Sequence, residues 1–233
     1  MTEAPQLPLA LRYPPDQRFD SFVSPPAGAL AQLRALAQGV QGDWLYLHGP
    51  AGTGKTHLAL AVCAAVEQAG GRAAYLPLAA AQGRVRQALE ALEGNALVAL
   101  DGLDAIAGIA ADELAVFDFH NRARTAGQRV LYAARMAPDA LGLALPDLRS
   151  RLSQCARIAL APLDDAGRRA LLRDRARRRG LRMDEAAIDW LLTRTGRDVA
   201  SLVGALDQLD RASLAEQRRV TVPFLKRVLD ASE

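Results

Sequence analysis

The segment Gly49-Pro50-Ala51-Gly52-Thr53-Gly54-Lys55-Thr56 constrains this chain more than any other. It matches the phosphate-loop pattern G-x-x-x-x-G-K-[ST]. It also has the required setting, because Trp44 to His48 reads as a buried strand and the residues after it carry apolar positions at helical spacing through Val66, up to Gly70-Gly71. Small residues let backbone N–H groups curl around a phosphate, and the following helix adds the partial positive charge of its N-terminus. Lys55 can reach the β- and γ-phosphate oxygens, and the Thr56 hydroxyl can ligate a magnesium ion held with the nucleotide. His57 extends the same contact by one residue. Lysine occurs only at Lys55 and Lys226 among 29 basic residues, so the compact ammonium at position 55 stands out in a chain that otherwise uses arginine.

The rest of the first two thirds repeats the alternation of strand and helix. Ala73–Leu78, Ala96–Leu100, Val130–Ala134 and Arg157–Leu160 are predicted strands; Val85–Glu93 and Glu113–Thr125 are predicted helices. Such alternation implies an α/β fold whose mainly parallel sheet is covered on both faces. From Asp164 the pattern changes to helices alone, with Asp184 a plausible N-cap and Thr221 and Pro223 opening a final short helix. The expected organisation is an N-terminal arm over 1–20, an α/β base over 21–163 and a helical lid over 164–233. The arm contains Pro5, Pro8, Pro14 and Pro15 and has little periodicity.

At 233 residues and 50% apolar, the chain can bury a substantial core. The two cysteines, Cys63 and Cys155, lie far apart and have no ligand-spaced neighbours, which points to neither a disulfide framework nor a zinc site. No apolar run approaches the roughly 20 residues needed to cross a bilayer. These features lead us to expect a cytoplasmic protein without a membrane partner.

The Ala96–Leu100 strand delivers Asp101, the expected second magnesium-side residue. The next position is Gly102, although an acid there would help orient an attacking water. Asp104 is close in sequence and is read either as a substitute for that acid or as a solvated loop residue. Arg168 to Arg182 is dense in arginine and reads either as a phosphate-contacting face with salt-sensitive binding or as a solvated or protein-contacting face. No base-reading motif accompanies it, so contact with DNA is expected to be indirect or non-specific at most.

With these elements in place, several stretches carry a resemblance to a known family. They are F-D-S-F-V at 19–23, W-L-Y-L-H-G-P-A-G-T-G-K-T-H-L at 44–58, F-D-F-H-N-R at 117–122, L-P-D-L-R-S-R-L at 145–152, L-D-Q-L-D-R-A-S at 206–213 and V-P-F-L-K at 222–226. The chain resembles the DnaA branch of the AAA+ superfamily, and within it the DnaA-homologous regulators of the Hda family. The resemblance implies a five-stranded parallel sheet in the order 5-1-4-3-2 with a helical lid. It also implies a bound adenine nucleotide, most readily ADP, with Mg²⁺, and a role with the DNA-loaded sliding clamp in stimulating ATP hydrolysis by DnaA. On that reading Arg151 is an arginine finger acting on a neighbouring subunit's nucleotide, and Gln6, Leu7, Leu9 and Leu11 belong to a clamp-binding peptide from whose usual pattern Pro8 and Ala10 depart. A homo-oligomer is compatible with the same resemblance. Ala200 stands where the lid arginine called sensor 2 is expected, with Arg197 nearby as a substitute, and Arg135 follows the strand after which the sensor 1 polar residue is expected. These departures lead us to expect nucleotide binding with negligible turnover. The alternatives are an active DnaA-like or helicase-loader-like ATPase acting on DNA and, further off, a small-molecule P-loop kinase.

Overall fold

The computed structural model describes residues 17–40, 42–194, 199–216 and 220–230. The chain divides after Leu160 into two compact units. In the first, β1 (Leu45–His48), β2 (Ala73–Pro77), β3 (Leu97–Asp101), β4 (Arg129–Ala134) and β5 (Ala156–Ala159) form a wholly parallel sheet in the order β2-β3-β4-β1-β5. This is the expected 5-1-4-3-2 order read from the opposite edge.

Strand alternation divides the apolar side chains between two layers. Tyr46, Val98, Leu100, Val130 and Tyr132 enter one buried cluster, whereas Leu45, Leu47, Leu97, Ala99, Leu131 and Ala133 enter the other. α1 (Ala29–Gln38) and α2 (Lys55–Gln68) cover the second face. The short α3 (Leu78–Ala81), α4 (Val85–Glu90), α5 (Ala110–Thr125) and α6 (Pro146–Ser153) cover the first. The sequence reading assigns no element to α1, although Ala29, Leu33, Leu36 and Ala37 line one buried stripe. Its C-terminus is tied to the sheet by Arg129, whose Nη1 donates to the carbonyls of Leu36 and Ala37 at 2.6 Å each. A cation at a helix C-terminus satisfies carbonyls that have no intrahelical partner.

The second unit contains α7 (Asp165–Arg178), α8 (Glu185–Arg194), α9 (Val199–Glu216) and α10 (Val222–Asp230). Leu172, Ile188, Leu191, Leu202, Leu206, Leu209, Phe224 and Leu225 form its core. Two of its helices begin on side-chain caps: Asp164 accepts from the Gly167 N–H at 2.7 Å and Asp184 from the Ala187 N–H at 2.8 Å. Among the described residues, no helix is long and apolar enough to cross a membrane.

Candidate nucleotide site

The carboxyl ends of β1, β3 and β4 bring the polar residues together. In open parallel sheets this is the end at which ligands bind. Between β1 and α2 the chain turns through Gly49 at φ 152° and Gly54 at φ 89°. A Cβ at Gly49 would lie 2.1 Å from the Leu160 carbonyl oxygen, and one at Gly54 would lie 2.5 Å from the Phe22 ring. Glycine is therefore required at both positions, by backbone conformation and by close approach. Thr53 is buried, and its hydroxyl donates to the Pro50 carbonyl at 3.0 Å, bracing the loop from within.

Lys55 folds back across this loop, its Nζ donating to the carbonyls of Gly49 at 2.6 Å and Pro50 at 2.7 Å. Burial pulls its pKa below the ordinary lysine value, while Asp101 and Asp104 push it back up and Arg135 lowers it further. An anion at the loop would compensate the buried ammonium, as a phosphate does at a helix N-terminus. Thr56 lies in the first turn of α2, and its hydroxyl donates to Asp101 Oδ2 at 2.5 Å. These two oxygens would hold a magnesium ion together with nucleotide phosphates, since the ion takes few protein ligands and keeps several from phosphate or water. Among the described residues no group of three or more His, Cys, Asp or Glu side chains could hold a metal alone.

Sequence reasoning missed Tyr75. From β2 its hydroxyl donates to the same Asp101 Oδ2 at 2.9 Å, and burial followed by the charge of Asp101 raises its pKa far above the ordinary tyrosine value. The register pairs Tyr75 with Ala99 on β3, two residues before Asp101. Only that register, which the sequence does not state, puts the phenol within reach of the carboxylate.

Gly102 has φ 81°, the left-handed region, and its N–H donates to the Ala133 carbonyl at 2.9 Å. The chain thus turns sharply off β3, and glycine enters that conformation without strain. The turn swings Asp104 onto the end of β4. There its Oδ1 accepts from the backbone N–H of Arg135 at 2.9 Å, and its Oδ2 pairs with the Arg135 Nε at 3.3 Å. Asp104 is accordingly neither an unencumbered acid nor a purely solvated loop residue.

His57 faces the segment that precedes α1. Its Nε2 donates to the Arg18 carbonyl at 2.8 Å, and its ring packs edge-on against Phe22 with centroids 5.3 Å apart. A hollow of about 540 Å³ lined by Arg72, Glu93, Asn95, Arg122 and Gln128 lies at the opposite end of the sheet, before β2, β3 and β4, and takes no part in this site.

Arg151 lies on α6, away from these groups. Glu113, fully buried on α5, sets the start of α6 by accepting from the N–H groups of Gly108, Ala144 and Leu145 at 2.6, 3.0 and 2.7 Å. Pro146 then occupies the first helical turn, where its missing N–H costs nothing. Leu148 and Leu152 turn into the core, leaving Arg149 and Arg151 exposed on the helix. Nearby, burial first, then Arg124, then Arg151 lower the pKa of His120 from 6.5 to about 4. Its Nδ1 shares a hydrogen bond with the Tyr132 hydroxyl at 3.0 Å.

Comparison with known proteins yields matches that together reach into both units, the first running past Leu160 into the second. Residues 45–179 match the ATPase family associated with various cellular activities (AAA), more than half of the chain. The chain belongs to the AAA family. Residues 165–229 match the lid domain of Hda, which bears out the resemblance to the DnaA branch. Domain III of the Thermotoga maritima replication initiation protein DnaA superposes with a TM-score of 0.79 at 18% identity, covering 95% of this chain and 98% of that one. DnaA from Aquifex aeolicus, bound to AMPPCP, gives 0.70 at 21% identity over 87% and 67%. The T. maritima RuvB Holliday junction branch migration motor gives 0.67 at 17% over 94% and 72%. At these identities the superpositions establish a shared fold. The AAA match implies adenine-nucleotide binding as a family property.

Other residues singled out in the sequence lie elsewhere or outside the description. Gln6, Leu7, Pro8, Leu9, Ala10 and Leu11 fall outside the described residues, as does Arg197. Ala200 belongs to α9 of the Hda lid. The arginines of α7 are largely paired with acids: Arg173 with Glu185 at 2.6 Å, Arg177 and Arg178 with Asp174 at 2.5 and 2.6 Å, and Arg169 with Asp189. Beyond the helix, Arg179 pairs with Asp207 at 2.5 Å.

Proposed function

We propose that this AAA protein is an Hda-like regulator. It holds an adenine nucleotide, most readily ADP with Mg²⁺, turns it over negligibly, and acts with the DNA-loaded sliding clamp to stimulate ATP hydrolysis by DnaA. The observation that carries this reading is the Hda lid match on the second unit of a chain whose first unit carries the phosphate loop. Arg151 supplies the chemistry. An exposed guanidinium presented to a partner's terminal phosphate offsets charge in the transition state, with effects of about 10³ to 10⁵ in rate where such arginines act. Its exposure on α6 and the anchoring of that helix by Glu113 fit a rigidly mounted donor that faces outward.

Low turnover by the chain itself is supported by two features of the site. Gly102 offers no side chain to orient water, and Asp104 is engaged by Arg135. The clamp contact is assigned to the peptide Gln6-Leu7-Pro8-Leu9-Ala10-Leu11 through the resemblance. Such a segment orders as it enters an apolar groove.

The test loads DnaA with labelled ATP, adds clamp on DNA, and compares this protein with its Arg151→Ala and Gln6→Ala variants. Wild type is expected to accelerate hydrolysis. Arg151→Ala should lose at least about a hundredfold of that acceleration, and Gln6→Ala should lose the stimulation that depends on clamp. Equal stimulation by all three would refute both assignments.

A further inference from the structure

The helix that carries Arg151 is short, and a side chain on it is aimed only as well as its backbone is held. α6 spans eight residues, and Leu148 and Leu152 on its inner face are fully buried. Apolar packing keeps a helix against the core but is non-directional, so hydrogen bonds must fix its rotation and its height. At the C-terminal end these bonds are exposed: Ser153 Oγ and Arg157 Nη1 donate to Asp139 at 3.2 and 3.3 Å, and the Asp139 side chain is 66% exposed. Contacts of that kind hold position weakly.

The start of the helix is held differently. Glu113 Oε2 accepts from the Leu145 N–H, and Oε1 accepts from the N–H groups of Ala144 and Gly108, all within the buried layer around α5. Three donors converge on one carboxylate away from water, where such bonds are strongest. Leu145 is also the N-cap of α6, and its carbonyl accepts from the Arg149 N–H at 3.2 Å. One residue therefore passes the position of the carboxylate into the helix backbone. Arg151 follows about 9 Å along the axis at the usual rise. Glu113 stands in the first turn of α5 beside Asp112, which is also buried and accepts from the Gly83 N–H at 2.9 Å. Gly108 belongs to the connection that leaves β3 after Asp101, so the same turn of α5 ties the arginine-bearing helix to the segment that leaves the nucleotide-side strand.

We propose that Glu113 is a positioning residue for hydrolysis in trans: by holding the Ala144 and Leu145 N–H groups it sets the rotation and height at which α6 presents the Arg151 guanidinium to a partner's terminal phosphate. Glu113 touches no phosphate itself. This rests on the reading of Arg151 as the finger, and adds to it a residue whose loss misaims the guanidinium without removing it. A misplacement of about 1 Å at a transition-state contact can cost about a hundredfold in rate. Docking of two proteins is spread over a much wider surface and tolerates the same shift.

The experiment follows single-turnover hydrolysis of labelled ATP on DnaA, with clamp on DNA, over a range of concentrations of this protein. It compares wild type, Glu113→Gln, Glu113→Asp, Arg151→Ala and Glu113→Gln combined with Arg151→Ala. Glutamine leaves one acceptor oxygen and turns an NH₂ group toward an N–H, whereas aspartate keeps both oxygens on a stem one methylene shorter. Thermal unfolding and ADP affinity are measured on each variant to report whether the fold survives. Glu113→Gln should lower the maximal stimulated rate about tenfold or more, with the half-saturating concentration and the ADP affinity within about twofold of wild type. Glu113→Asp should fall between the two, and it carries the test if the glutamine variant does not fold. In the Arg151→Ala background Glu113→Gln should change the maximal rate by less than about twofold, because the guanidinium it aims is gone. A folded Glu113 variant with the full maximal rate, a loss confined to the half-saturating concentration, or losses that multiply in the double variant would each overturn the proposal while leaving Arg151 as the finger. Failure of both Glu113 variants to fold would overturn it too, since the residue would then be needed for the fold as a whole. Full stimulation by Arg151→Ala would remove the finger reading and this proposal with it.

Discussion

The phosphate loop and helix α7 handle positive charge in opposite ways. The loop has one ammonium, half-buried, donating only to carbonyls of the loop itself. Helix α7 is crowded with guanidinium groups, yet Arg169, Arg173, Arg177 and Arg178 each meet a carboxylate, as does Arg179 just beyond it. Charge density along a sequence therefore says little about charge available to a ligand. A single cation that faces carbonyl oxygens can exchange them for phosphate oxygens. Cations already paired with carboxylates have to give up a partner first.

Three measurements can break this comparison or sharpen it. The largest effect is expected for Lys55→Ala. It should weaken ADP and ATP binding about a hundredfold, the scale of a lost charged hydrogen-bonding group, in a fluorescent-nucleotide titration. Binding within threefold of wild type would mean that the loop does not grip phosphate through this residue. A middle effect is expected for Tyr75→Phe, which removes one hydrogen bond to Asp101 Oδ2 and should raise the magnesium concentration needed for half-maximal nucleotide binding about fivefold. Binding measured in excess chelator should not change, which separates placement of the carboxylate from general loss of structure. The smallest is expected for Arg173→Ala combined with Arg177→Ala. Affinity for duplex DNA at physiological salt, and its slope with salt, should stay within about twofold of wild type. A markedly flatter salt slope would show that these pairs open for phosphate and would end the contrast.

The loop was legible in the sequence because its chemistry is local: eight consecutive residues carry the glycines, the lysine and the hydroxyl. The strands were legible because each is a short, largely apolar run, mostly buried in β1, β3 and β4 and only partly so in β2 and β5, and their observed limits lie within one residue of the reading for β1 to β5. The parallel order came through the family resemblance. What stayed hidden depends on register. Tyr75 meets Asp101 across β2 and β3, and Arg135 meets Asp104 across the ends of β3 and β4. Neither pair has a fixed sequence spacing. Glu113 was hidden for a related reason: a buried carboxylate on α5 satisfies backbone groups 31 and 32 residues further on, and nothing near it announces that partner. The missing acid at Gly102 was visible, but its backbone reason, a left-handed turn, was not.

Phe22 lies against Gly54 so closely that any side chain at position 54 would collide with it. The wall of the phosphate loop is thus partly built by residues well upstream of the first strand, whereas the AAA match begins only at residue 45. A trimmed protein cut at that boundary would keep every strand and lose one side of its binding loop. Any expression boundary intended to preserve nucleotide binding should start upstream of Arg18, the residue whose carbonyl secures His57.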